Sequence, residues 1–247
     1  MSAWTRAEIQ FRHQWTEDLI TLGLAAEIEP FEAGQWVNLG CEMDGELVRR
    51  PYSLASAPGA PPEFFLTRVP EGVLTPSLFD LPIGASLQME RQPQGFFTLK
   101  YVPEARDLWL VATGTGLGPF ISMLRSKELW QRFERVVVVH GVRFERQLGY
   151  REELAKRAAA SAGQLTVVPL VSRDPDAAGL LQGRVTTTFA DGRLEQAAGI
   201  ELSPERSHLM LCGNPEMIGE MTAALEARGL HRHRQRRPGH YSIEKYW

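Results

Sequence analysis

The chain has 247 residues, enough for one large domain or two of ordinary size. It is 43% hydrophobic and 23% charged with a formal net charge of −3, a globular composition that gives no global argument for nucleic acid. Cys41 and Cys212 are too few for a disulfide framework and lack metal-ligand spacing, and no stretch approaches the roughly 18 apolar residues of a membrane span, so no metal, no membrane and a reducing cytoplasm are expected.

The first hundred residues read as β-structure. Residues 1–101 carry nine of the 16 prolines, with turn signals at Glu32-Ala33-Gly34-Gln35, Asp44-Gly45, Pro58-Gly59-Ala60-Pro61-Pro62 and Glu71-Gly72. Between them lie short β-type runs at Gln35–Leu39, Leu47–Leu54, Phe64–Val69 and Ser86–Arg91, the pattern of an antiparallel barrel or sandwich. One insertion interrupts them: Thr75 reads as a helix cap and Pro76 as a first helical residue.

From about residue 105 strands and helices alternate. Strands are expected at Leu108–Ala112, Val136–His140, Leu165–Val171 and His208–Cys212, and helices at Phe120–Trp130, Tyr150–Ala160 and Glu216–Arg228. Asn214-Pro215 caps the last helix and Gly229 ends it. Such alternation is a parallel-sheet, Rossmann-like α/β layout. The joint is expected near Pro103, dividing the chain into a barrel over 1–101 and an α/β domain over 102–247. At its head, Leu108–Thr113 runs into Gly114-Thr115-Gly116-Leu117-Gly118-Pro119, a strand, a glycine turn and a helix start. That geometry aims backbone N–H groups at a phosphate or dinucleotide, although the spacing is not G-x-G-x-x-G.

Several side chains suit nucleotide chemistry. Arg50-Pro51-Tyr52-Ser53 combines a phosphate clamp, a stacking ring and a hydroxyl, and Pro51 confines the run to a sheet edge or strand end. Val73, Leu74 and Thr75 bring backbone N–H groups to the inserted helix. Cys212-Gly213-Asn214-Pro215 follows a parallel strand, where open α/β sheets place ligands, and the nearby helix start favours a thiolate. Arg143, Ser172-Arg173 and Arg184 follow strands in the same domain and suit a ribose phosphate. The tail carries Arg232, Arg234, Arg236 and Arg237, fit for an acidic partner or for water, and ends in Tyr246-Trp247.

Together, R-P-Y-S at 50–53, G-V-L-T at 72–75, G-T-G-L-G-P at 114–119, C-G-N-P at 212–215 and the terminal E-K-Y-W resemble the bacterial branch of the ferredoxin–NADP reductase family over essentially the whole chain. The resemblance implies an FAD barrel followed by an NADP domain. It assigns Arg50, Pro51, Tyr52, Ser53, Phe65, Val73, Leu74, Thr75, Thr115 and Trp247 to FAD. It assigns Gly114, Gly116, Arg143, Ser172, Arg173, Arg184, Cys212, Gly213, Asn214 and Pro215 to NADP(H). Ser53 and Glu244 would act near the flavin reacting nitrogen and Cys212 beside the nicotinamide. The activity implied is hydride exchange between NADP(H) and flavin, with single electrons passing to ferredoxin or flavodoxin, in a monomer. An NAD(P)H-dependent flavin reductase or oxygenase-component reductase of the same fold is the alternative.

Overall fold

The computed structural model describes residues 3–246, which gather into two compact units. The first holds the chain up to Leu99 together with Gly118–Lys127; the second holds Lys100–Leu117 and the chain from Glu128 onward.

The first unit contains β1 (Trp4–Thr16), β2 (Leu19–Ala25), β3 (Trp36–Met43), β4 (Glu46–Ser53), β5 (Glu63–Thr67) and β6 (Ser86–Glu90). They form one antiparallel sheet in the order β4-β3-β6-β1-β2-β5. The end strands meet through an antiparallel bridge from Leu54 to Phe64 and a 2.8 Å bond from the Ala55 N–H to the Glu63 carbonyl, giving a barrel-like sheet. Ala7, Ile9, Leu22, Leu24, Val37, Leu39 and Met89 fill its interior. The hairpin of β1 and β2 lies outside the expected strands. Its outward residues are mostly charged or polar, which hides the alternation of Ala7 and Ile9 from a hydropathy reading.

The inserted helix α1 spans Leu74–Asp80 with Val73 at its N-cap and no side-chain cap bond, so it starts before the expected Thr75 cap. The Thr75 hydroxyl is engaged elsewhere, accepting the Val69 N–H at 2.9 Å. Pro76 still falls in the first turn, whose N–H groups need no helical partner.

The single helix expected over Phe120–Trp130 is two. Helix α2 (Gly118–Leu124) is buried along its whole length, and α3 (Lys127–Arg132) follows it. Beyond the helix, the Arg125 side chain donates to Glu63 Oε2 at 2.7 Å and to the Ala55 carbonyl at 3.1 Å. Ser126 closes the turn with both its N–H and its hydroxyl on the Met123 carbonyl. Within α2, the Ser122 hydroxyl donates to the Ser56 carbonyl at 2.6 Å.

The second unit contains β7 (Asp107–Thr113), β8 (Arg135–Val142), β9 (Leu165–Val171), β10 (Leu181–Gln182), β11 (Ser207–Gly213) and β12 (Tyr241–Lys245), all parallel in the order β10-β9-β8-β7-β11-β12. Helices α4 (Arg151–Ala160), α5 (Val185–Ala190), α6 (Arg193–Ala198) and α7 (Pro215–Ala227) complete it. Central strands of a parallel sheet are covered on both faces, which is why β8 reads as an unbroken Val136–Val139. The tail adds an edge strand, β12, that sequence reading does not predict. Its Tyr241 is fully buried and donates its hydroxyl to Glu226 Oε1 at 3.0 Å. Among the described residues, no helix is long and apolar enough to cross a membrane.

Candidate functional site

In the first unit the expected cluster lies on β4, an end strand in the order of the sheet, as Pro51 requires. Arg50 is exposed and its Nη1 donates to the Arg49 carbonyl at 2.7 Å. Tyr52 is half-buried, and burial pushes its phenol up to about 12, with the Arg50 charge pulling the other way; the ring is neutral at any physiological pH. Ser53 is buried, on the opposite side of the strand from Arg50 and Tyr52. Phe65 of β5 is buried edge-on against Trp15, ring centres 6.4 Å apart. At α1, Val73 is 57% exposed whereas Leu74 points into the barrel core, so Leu74 can serve a ligand only through its backbone.

In the second unit the expected residues converge at the C-terminal edge of the parallel sheet. Strand β7 ends in a turn of 3-10 helix, Gly114–Leu117, and the α-helix begins only at Gly118. Gly114 has φ +55, and nothing lies within 4 Å of where its side chain would start, so the backbone is open to a ligand there. Gly116 answers a different need: a Cβ there would stand 2.8 Å from Gly213 Cα and closer still to the Cys212 carbonyl. Gly213 has φ +135 and is pressed against Thr113, while the Asn214 N–H donates to Thr113 Oγ1 at 3.0 Å. Strands β7 and β11 therefore finish with their backbones in contact, which only glycines permit.

Cys212 is fully buried at this junction, opposite Glu244 in the β11–β12 register. Its Sγ lies 4.0 Å from Glu244 Oε2. Burial first, and the Glu244 charge second, raise its pKa well above that of a free thiol, so the expected thiolate is corrected to a neutral thiol. Tyr246 follows β12, and its hydroxyl donates to the Thr115 carbonyl at 3.1 Å. Trp247 lies outside the described residues.

Arg143, Arg173 and Arg184 are exposed just past the ends of β8, β9 and β10, three neighbouring strands. The Arg173 N–H donates to the Arg143 carbonyl at 2.9 Å, and Ser172 binds the Val142 carbonyl through its N–H and hydroxyl. Arg184 caps α5, and its Nη2 sits 3.4 Å from Glu216 Oε2 and 3.2 Å from Glu220 Oε1. At the start of α7 Asn214 accepts from the Glu216 and Met217 N–H groups at 2.7 and 3.4 Å, the expected cap.

Sequence reasoning missed Thr113, which locks the strand ends. It also missed His140, whose buried ring lies with Nε2 3.1 Å from the Gly114 carbonyl. A histidine closing a four-valine run was the one available signal.

A profile described as an oxidoreductase NAD-binding domain matches residues 110–223. The chain is 40% identical over 252 residues to flavodoxin/ferredoxin–NADP reductases from Shigella flexneri and Escherichia coli, covering 100% of both sequences in each case. It is similar to the crystal structure of a ferredoxin NADP+ reductase from Neisseria gonorrhoeae with bound FAD and NADP, at 30% identity, a TM-score of 0.93 and 99% coverage of each chain.

Proposed function

This chain belongs to the flavodoxin/ferredoxin–NADP reductase family, and on that premise we propose that it is an FAD-dependent enzyme that exchanges electrons between NADP(H) and ferredoxin or flavodoxin. Within the structure, the observation that carries the reading is the row of exposed arginines, Arg143, Arg173 and Arg184, past three adjacent parallel strands. A guanidinium meets a phosphate through paired, charge-assisted bonds, and a row of three is more charge than a bare ribose hydroxyl needs.

Bound FAD would supply the conversion between hydride exchange with nicotinamide and single-electron exchange with the carrier. The chain supplies binding, orientation and electrostatics. Arg50 offers an exposed cation to the FAD phosphates and Tyr52 a neutral ring to stack, while Ser53 on the other side of the strand, Pro51, Phe65 and the backbone of Val73, Leu74 and Thr75 would complete the FAD site. In the second unit, the open backbone at Gly114 and the neighbouring Thr115 and Gly116 would receive the nicotinamide half of NADP(H). Cys212 would form a small wall beside it, with Gly213, Asn214 and Pro215 alongside. As a neutral thiol it does not act as a competing nucleophile. Glu244 holds a carboxylate at the same junction and would hydrogen-bond near the flavin reacting nitrogen. Ser172 supports the arginine row through the Val142 carbonyl. The reading places the enzyme in the cytoplasm as a monomer.

The test is substitution of Arg173→Ala together with Arg184→Ala. Charge-assisted hydrogen bonds are worth about 1.5–3 kcal/mol each, so the KM for NADPH should rise roughly 10²–10⁴-fold relative to that for NADH. Equal effects on both nucleotides would remove the 2′-phosphate assignment. Failure of the unaltered protein to reduce either carrier with NADPH would instead favour the flavin-reductase alternative.

A further inference from the structure

Of the three arginines in the row, Arg184 alone is ion-paired among the described residues. Its backbone is pinned on both sides: the N–H donates to Thr187 Oγ1 at 3.1 Å, and the carbonyl accepts from the hydroxyls of Thr187 and Thr188 at 2.9 and 3.0 Å. Only the side chain is left to move. Glu216 and Glu220 stand one turn apart on α7 and approach the same nitrogen, Arg184 Nη2. Their helix is held in place by the Asn214 cap and by its packing on α5. Two carboxylates on a well-anchored helix therefore face one movable guanidinium.

We propose that Glu216 and Glu220 set how strongly this enzyme prefers 2′-phosphorylated nucleotides, by competing with the 2′-phosphate for Arg184. The inference rests on the reading that Arg184 meets that phosphate. For it to bind, the guanidinium must leave or share the two carboxylates, and the dianion must also approach their charge. All three side chains are partly in water, at 48% exposure for Arg184, 68% for Glu216 and 37% for Glu220, so each pair is weak and can be exchanged. A weak competitor tunes an affinity without abolishing it. The two glutamates are positioning residues, acting through where Arg184 points.

The experiment uses the full-length, FAD-loaded protein with Glu216→Gln and Glu220→Gln, singly and combined. Calorimetric titration compares adenosine 2′,5′-bisphosphate with 5′-AMP, which differ only in the 2′-phosphate. The double variant should bind the bisphosphate about two- to tenfold more tightly, with a smaller change for 5′-AMP and a gain that shrinks as salt is raised. In turnover, the KM for NADPH should fall relative to that for NADH, with the change in KM rather than kcat. Combined with Arg184→Ala, the glutamate substitutions should lose most of this effect. Unchanged or weaker bisphosphate binding in the double variant, or an equal shift for both ligands, overturns the proposal. Arg184→Ala alone separates the two levels. If it leaves bisphosphate binding intact, the phosphate assignment of Arg184 itself falls. If it weakens binding while the glutamate variants do nothing, that assignment stands and the competition is refuted.

Discussion

At the scale of single residues, His140 connects the stability of the fold to its glycine turn. Burial pushes its pKa from 6.5 down to about 4, so the ring is neutral at physiological pH. Neutral imidazole keeps one N–H, which Nε2 offers to the Gly114 carbonyl. His208 is also buried, and burial, with His233 adding to it, lowers it to about 3. Below pH 6.5 the unfolded chain takes up protons at these sites that the folded chain refuses until about pH 4 or lower. Their neutral forms thus cost nothing above 6.5, and stability is lost as pH falls from there. The His140 shift alone corresponds to roughly 3 kcal/mol by pH 4. Urea denaturation followed by circular dichroism should give a midpoint that drops between pH 6.5 and 4. The drop should be smaller in His140→Gln, which keeps an amide donor but does not titrate; an identical slope would exclude His140 as a source. Residue chemistry was only partly legible in sequence. Arg50, Tyr52 and Ser53 could be assigned to faces because strands alternate, whereas the state of Cys212 depends on burial, which no local pattern reveals.

At the scale of elements, legibility followed the strength of local signals. Strand β9 occupies its expected range, and β7, β8 and β11 extend theirs by one or two residues at each end, because buried parallel strands are continuous apolar runs. Helix α7 begins at the expected cap, and Asn214→Ala should remove the acceptor of the Glu216 and Met217 N–H groups at a cost of about 1 kcal/mol. Thermal melting should record a fall of roughly 2–4 °C; a fall below half a degree would mean that solvent replaces the cap. What escaped prediction had more than one cause. The turn between β1 and β2 is Glu17-Asp18, without glycine or proline, and α5 and α6 are six residues each. Strand β12 is dictated by pairing with β11, a partner about thirty residues earlier in the chain.

At the scale of the whole molecule, a β-rich first part and an α/β second part were readable from turn punctuation and the spacing of apolar runs. The assignment of α2 was not, because its place is set by contacts distant in sequence. Ser122 and Arg125 bind the carbonyls of Ser56 and Ala55, and Arg125 also pairs with Glu63. A fragment ending at residue 101 lacks these donors and exposes the apolar surface that Phe120 covers on Phe97. It should be less stable than a fragment 1–127, measured by urea unfolding of the two side by side. Equal midpoints would show that the sheet does not need α2.

That discontinuity also orders events during synthesis. The ribosome makes all six strands of the first unit, then β7 of the second, before it delivers the helix that completes the first. The nascent barrel must therefore wait, with a hydrophobic seat open, while an apolar strand of another unit emerges beside it. Chaperone engagement is expected to peak in that interval, and a pause in translation between residues 99 and 118 would lengthen the wait.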